Sequence, residues 1–214
     1  QEAGFWGSEF DVNMTSDGVL LVFHDGSVEG KKIEKNPHDA FKYYSLKNGE
    51  PIPTIDEYLE QGKKQDCYPI PRVSTDYPLH LRRRLRLDSP GCLWAKGDPE
   101  LLNPPAVSLV GSRELLPANQ DFAWEVGKQA ALQGFTLISG NARGADRTAQ
   151  DAAIAAGGPV ISILADKLTD HIPMGKLLYL SEDGFDLEFS AQRALSRNRC
   201  IHTLGRLVFV AQSG

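Results

Sequence analysis

The sequence predicts an α/β fold over residues 68–214, with a parallel sheet covered by helices on both faces. Three observations carry that prediction. Short apolar runs, among them Val107–Val110, Thr136–Ile138 and Pro159–Leu164, alternate with longer stretches of helical periodicity. Strands that are apolar throughout, without polar alternation, are those buried on both faces, as in parallel sheets. The run Thr136-Leu-Ile-Ser-Gly-Asn-Ala-Arg-Gly-Ala-Asp146 reads as strand, glycine turn and helix start. Finally, the charge composition breaks near residue 66. Residues 1–66 hold 7 Lys, no Arg and 13 Asp plus Glu, whereas residues 67–214 hold 12 Arg, 4 Lys and 15 acids. Two segments of different make-up share one chain, and they divide as residues 1–62, a linker at 63–76 and a larger domain at 77–214.

Taken in order, Ser8-Glu-Phe-Asp-Val-Asn-Met-Thr15 alternates like a strand and puts Glu9 and Asp11 on one face. Ser16-Asp-Gly18 is a turn, and Val19-Leu-Leu-Val-Phe23 is an apolar strand ending at His24-Asp25-Gly26. Two carboxylates at i and i+2, with a histidine at the next strand's end, fit a hard divalent cation and a proton-transfer group. They also fit a solvated edge strand with a lone histidine, which is the plainer reading. Residues 61–75 are polar and rich in turn formers, as a linker would be. Beyond them, Leu79, Leu81, Leu85 and Leu87 are partly helix-spaced, and Leu93 and Trp94 suit a strand. The cluster Arg82, Arg83, Arg84 and Arg86 reads either as a nucleic-acid patch or, more simply, as the solvated face of an amphipathic helix.

Within the larger domain, strand 107–110 leads to a helix near 117–133, with Phe122, Val126 and Ala130 at helical spacing and Gly134 closing it. Strand 135–138 leads to an alanine-rich helix, 146–156, closed by Gly157-Gly158. Strand 159–164, a short helix at 174–180, a helix at 190–203 and a strand at 206–211 complete the pattern.

Ligands of open α/β sheets bind at the carboxyl ends of the strands. Arg113, the 139–146 loop and the arginines at 197–199 should converge there. The loop should offer backbone N–H groups left unpaired at a helix start, where the helix dipole favours negative charge. Arg143 could grip a phosphate in a fork. A Gly-x-x-x-Gly spacing alone is weak, because a plain βα turn with a surface arginine shares it. Asp146 reads as a helix-start residue that orients the loop. No nucleophile–base pair or Walker lysine accompanies these residues. Ser112 and Ser139 have no histidine near them in sequence, and His171 and His202 read as surface or packing residues. Binding fits this set better than catalysis.

Five ordered motifs sharpen the reading. They are Gly111-Ser112-Arg113, the loop Ser139 to Asp146, Pro173 to Leu178, Ser181-Glu182 and Arg197 to Ile201. Together they resemble the DprA/Smf family of DNA-processing proteins, with its G-S-R strand end, S-G-x-A-x-G-x-D loop and R-N-R-x-I helix. The resemblance covers about residues 68–214. It implies a Rossmann-like fold that continues past Gly214, and a non-enzymatic role without a required cofactor. The implied partners are single-stranded DNA, a RecA-type recombinase during DNA uptake and recombination, and a second copy in a homodimer. The residues it points to for DNA or phosphate are Gly111, Ser112, Arg113, Ser139, Gly140, Arg143, Gly144, Asp146, Arg197, Asn198 and Arg199. A related Rossmann-like protein holding a free nucleotide is the alternative.

A second resemblance covers about residues 1–62. Gly7, Glu9, Asp11, Thr15, Asp17-Gly18 and His24-Asp25, followed by Pro51-Ile-Pro-Thr-Ile-Asp-Glu-Tyr-Leu59, look like the glycerophosphodiester phosphodiesterase family. That implies a TIM-barrel-like βα fragment, with Glu9 and Asp11 as ligands of Ca²⁺ or Mg²⁺ and His24 as a catalytic histidine. Such a barrel has about eight βα units, and about two are present, so no phosphodiesterase activity is expected. Both partial resemblances also fit a chain that joins fragments of two genes.

Composition excludes other classes. At 41% hydrophobic and 24% charged, the chain is ordinary for a globular protein. No apolar run approaches the roughly 18–20 residues of a membrane span, and Gln1-Glu2-Ala3-Gly4 is not a signal peptide. Three widely spaced cysteines, Cys67, Cys92 and Cys200, argue for a reducing compartment, with the cytoplasm the default.

Overall fold

The computed structural model describes residues 11–46 and 49–213. Its first part is built on tight turns. Strands β1 (Val12–Met14) and β2 (Leu20–Val22) pair antiparallel, in the register Val12–Val22 to Met14–Leu20. The turn between them is fixed by Thr15, whose hydroxyl donates to Asp17 at 2.5 Å, and by Gly18 at φ 85°. A second antiparallel pair, β3 (Ser27–Val28) and β4 (Lys31–Lys32), follows. Leu21, Val28, Ile33, Phe41 and Ile52 bury against one another as a small separate core. This departs from the barrel-like βα fragment expected for residues 1–62. Parallel strands need a crossover of a dozen or more residues, whereas so short a turn joins only antiparallel neighbours.

Helix α1 (Ile55–Lys64) is started by a capping box. The Glu57 amide donates to the Thr54 hydroxyl, and the Thr54 amide donates to the Glu57 carboxylate at 2.8 Å. Its buried face docks on the larger domain. Tyr58 meets Trp94 edge-on at 5.4 Å between ring centroids and Phe185 at 4.7 Å, and its hydroxyl donates to Asp186 at 2.7 Å. The segment 63–76, read as linker, contains strand β5 (Tyr68–Pro71), and buried Ile70 explains why it pairs rather than hangs free.

Helix α2 (Leu79–Leu85) and strands β6 (Cys92–Gly97) and β7 (Ala106–Val110) come next. Helix α3 (Pro117–Leu132), strand β8 (Thr136–Ser139), helix α4 (Ala145–Ala155) and strand β9 (Val160–Ile163) form the alternating centre. Strand β10 (Leu177–Ser181), the short helices α5 (Ala191–Ser196) and α6 (Asn198–Leu204) and strand β11 (Val208–Val210) complete the described chain. The seven-stranded sheet runs β11-β7-β8-β9-β10-β6-β5. Its five strands from β11 to β10 are parallel, while β6 is antiparallel to β10 and β5 to β6. The sheet is therefore mixed at one edge, a common variation of large α/β sheets.

One expected element is of the other type. The sequence predicts a short helix at 174–180, yet Leu177–Ser181 is strand β10 between β9 and β6. A short apolar run buried on both faces has no periodicity to separate strand from helix. The expected helix 190–203 is divided at Arg197, which lies between α5 and α6.

Helices cover both faces. Ile138, Ile161, Leu180, Leu81 and Ile201 bury one side of the sheet against α2 and α6. On the other, Val107, Leu137 and Val160 meet Ala123, Ala130, Ala149 and Ala153 of α3 and α4. Small residues let α3 and α4 approach closely: a Cβ at Gly127 would collide with the backbone of Ala149. The alanine run of α4 is thus a packing surface. No described helix is long and apolar enough to cross a membrane.

Candidate nucleic-acid interface

Three parallel strands end side by side, and their following loops shape one cleft. Gly111-Ser112-Arg113 follows β7, residues 140–144 follow β8, and Leu164 to Asp166 follow β9. The cleft measures about 320 Å³ and is lined by Arg113, Asn141, Arg143, Asp166, Phe189 and Arg197, among others.

The glycines set its floor. Gly144 sits at φ 85°, and a Cβ there would lie 2.5 Å from the Ser112 carbonyl oxygen. That close approach is stitched by the Ala145 amide, which donates to the Ser112 carbonyl at 3.1 Å. Gly111 is similarly restricted, since its Cβ would come within 2.7 Å of the Ala145 methyl. Ser139 is fully buried and donates to the Leu109 carbonyl at 2.8 Å, a tie between neighbouring strands. Ser112 accepts from the Glu114 amide at 3.1 Å and shapes the turn.

The expected nest of free N–H groups is partly filled. Asp146 folds back over its own loop, accepting from the Gly140 amide at 3.0 Å and the Ala142 amide at 3.4 Å. An acidic side chain in the first turn of α4 thus satisfies two amides of the loop that precedes the helix. Asp146 is 5% exposed, and burial raises its pKa against the opposing pull of Arg197 and of these amides. Its negative charge makes the loop by itself a poor anion cradle.

Positive charge comes from the arginines. Arg197 is 7% exposed; its guanidinium lies over Gly140, where a Cβ would overlap it, and donates to the Ile163 carbonyl at 2.6 Å. Its buried Nε has no hydrogen-bond partner among the described residues. Burial lowers its pKa, opposed by Asp146, yet an arginine stays charged across the physiological range. Arg113 is exposed at the rim. Arg143 is also exposed there and pairs with Glu114 at 3.1 Å.

Arg199 does not join them. It pairs with Glu182 at 2.8 Å, and burial, which would lower its pKa, is outweighed by the Glu182 bond, so the pKa rises. Glu182 is 3% exposed, so this is an internal pair that ties α6 to the end of β10. The consecutive residues 197–199 point in different directions, and only Arg197 of the R-N-R group lines the cleft. Asn198 is half-buried at the start of α6.

Phe189 is a cleft residue to which the sequence assigns no role. It is 56% exposed on the cleft wall, a large apolar ring beside the arginines. The only signal for it was its position in Phe189-Ser-Ala-Gln-Arg193. Asp166 was missed too. It pairs with His171 at 3.2 Å, and that hydrogen bond holds its pKa below the usual carboxylate value.

The barrel-derived residues lie elsewhere. Glu9 is outside the described residues. Asp11 and His24 stand 3.7 Å apart, with His24 largely exposed and also paired with Asp25 at 2.9 Å. Among the described residues, no group of three or more acidic, histidine or cysteine side chains could hold a metal.

A doubly wound α/β sheet with an arginine-lined cleft at its carboxyl edge defines the class: a Rossmann-like domain. Residues 69–214 match the family described as DNA recombination-mediator protein A, and the chain belongs to that family. It is 29% identical to DNA processing protein DprA of Bacillus subtilis over 200 residues, covering 87% of this chain and 66% of that protein. In structure it is similar to DprA of Streptococcus pneumoniae, at TM-score 0.61 and 27% identity, covering 71% of this chain and 56% of that one. The fold is shared as well with DNA processing protein A of Helicobacter pylori, a structure described for its single-stranded DNA binding mode. There the TM-score is 0.57 at 23% identity, over 69% of each chain. The chain thus spans somewhat over half to two thirds of these relatives.

Proposed function

We propose that this chain binds single-stranded DNA in the cleft of Arg113, Arg143 and Arg197 and serves DNA recombination without cutting the strand. The observation that carries the reading is Arg197. It is a largely buried cation that lines the cleft, and its guanidinium is placed to meet a phosphate oxygen there. Arg113 and Arg143 extend the positive rim, and Phe189 offers a ring on which a base can stack. Phosphate contacts with one aromatic platform give binding that tolerates any sequence. The work assigned to the cleft needs no metal or cofactor. Transfer of the strand to a RecA-type recombinase, a homodimeric state and a cytoplasmic site of action belong to the same proposal, supported by family membership. The metal-dependent phosphodiesterase reading of residues 1–62 rests on its resemblance alone.

The test is fluorescence anisotropy of a labelled dT oligonucleotide across a salt series, for the wild type, Arg113→Ala/Arg143→Ala and Phe189→Ala. Micromolar or tighter binding is expected, with a salt slope that falls by about 0.7 for each lost phosphate contact. Phe189→Ala should weaken binding by about 1–3 kcal/mol at unchanged slope. No wild-type binding at low salt rejects the proposal. Tighter binding of a mononucleotide than of the oligonucleotide would favour the free-nucleotide reading, which the modest cleft volume also accommodates.

A further inference from the structure

By sequence the arginines of α2 fit a nucleic-acid patch or a solvated helix face, and the structure divides them by role. Arg84 is structural: its Nη1 donates to the carbonyls of Thr203 and Gly205 at 3.2 and 3.3 Å, capping the end of α6. Arg82 donates weakly to the Arg72 carbonyl at 3.4 Å. Arg83 and Arg86 are exposed. None of the ion pairs among the described residues involves Arg72, Arg82, Arg83, Arg86 or Arg206. Elsewhere in the domain, Arg143, Arg193 and Arg199 each have an acidic partner. Apart from Arg113 and Arg197 of the cleft and Arg147 of α4, the arginines in no ion pair therefore gather on and around α2.

Two further features mark that surface. Arg86 ends α2 at φ 51°, a left-handed conformation that glycine adopts at far lower cost. A long cationic side chain is held there in spite of the backbone. Arg206 lies at the opening of β7, where its amide donates to the Ala106 carbonyl at 2.8 Å. It lines a hollow of about 130 Å³ together with Leu79 and His80 of α2. The patch thus joins α2 to the amino ends of the sheet strands.

Its position relative to the cleft is set by α6. That helix begins beside Arg197 in the cleft and ends under Arg84, seven residues or about 10 Å later. A chain of phosphates leaving the cleft would meet the α2 surface after a few nucleotides.

We infer that the exposed face of α2, with Arg82, Arg83, Arg86 and Arg206, is a second phosphate-binding surface for the same single strand that the cleft grips. The inference rests on the proposed DNA binding at the cleft and adds a path and a length requirement to it. Short strands occupy the cleft alone, and longer strands gain the α2 contacts.

Two oligonucleotides distinguish these, one of about six and one of about thirty nucleotides, within and beyond the site sizes of single-strand binding modules. Arg83→Ala/Arg86→Ala is the variant, with Arg84 kept because it caps α6, and circular dichroism confirms its fold. The wild type should bind the long strand tighter. The variant should lose about tenfold on the long strand, with a salt slope about 1.4 smaller, and nothing on the short one. Equal loss on both lengths, or no loss on the long strand, overturns the second surface. So does loss of poly-glutamate binding with long-strand affinity kept, which would assign α2 to an acidic protein. Failure of the wild type to bind the short strand rejects the cleft instead, and that outcome is read independently of the variant.

Discussion

The Arg197 guanidinium lies over Gly140 so closely that any Cβ at that position would overlap it. Gly140 also donates its amide to Asp146 at 3.0 Å, so one glycine holds both the cation and the buried acid of the cleft. The absence of a side chain is what lets the arginine reach the Ile163 carbonyl.

Gly140→Ala should therefore displace Arg197. Overpacking of this kind costs about 1–3 kcal/mol, and the oligonucleotide affinity should fall with it. Urea unfolding and anisotropy check the pair of effects. Unchanged stability with full binding would show that the loop relaxes freely.

Arg143 and Arg197 should behave differently when truncated. Arg143 is exposed and its pair with Glu114 is a surface pair, so Arg143→Ala should change stability by no more than about 0.5 kcal/mol while weakening DNA binding. Arg197→Ala removes the charge opposite buried Asp146 and should cost about 2–4 kcal/mol as well as binding. Denaturant midpoints separate the two.

Gly62 gives a sign reversal. Alanine inside a helix is usually more stable than glycine by about 1 kcal/mol. Here a Cβ would lie 2.7 Å from the Trp94 ring, so Gly62→Ala should lower the melting temperature by loosening α1 from the sheet. Recovery in a Gly62→Ala/Trp94→Phe double variant would confirm the collision as the cause.

Asp146 should leave a mark on the pH dependence of stability. Its folded pKa is raised above 3.8, so between 3.8 and that raised value the folded state holds a proton the unfolded chain has lost. Stability from this group is full below that window and is lost as pH rises through it. Asp146→Asn should remove that downward slope from urea midpoints measured between about pH 4 and 7. A slope identical to the wild type's would place the titration on another group.

The sequence by itself determined the α/β class, the strand and helix order through the centre, and the positions of the glycine loop and of Arg113, Arg143 and Arg197. Those are local properties: apolar runs fix buried strands, alanine-rich periodicity fixes α4, and Gly144 fixes a turn that only a positive φ allows. Only the tertiary structure decided that Leu177–Ser181 is a strand, since its type depends on β9 and β6 beside it rather than on its own pattern. Packing likewise turned Arg199 inward to Glu182 and left Phe189 on the cleft wall, for a helix's 100° step between residues sends neighbours to different environments. Docking of α1 through Tyr58 and Trp94 joins residues more than thirty apart and leaves no local trace. Periodicity specifies which face of an element is apolar; the partner that face meets is a matter of the whole fold.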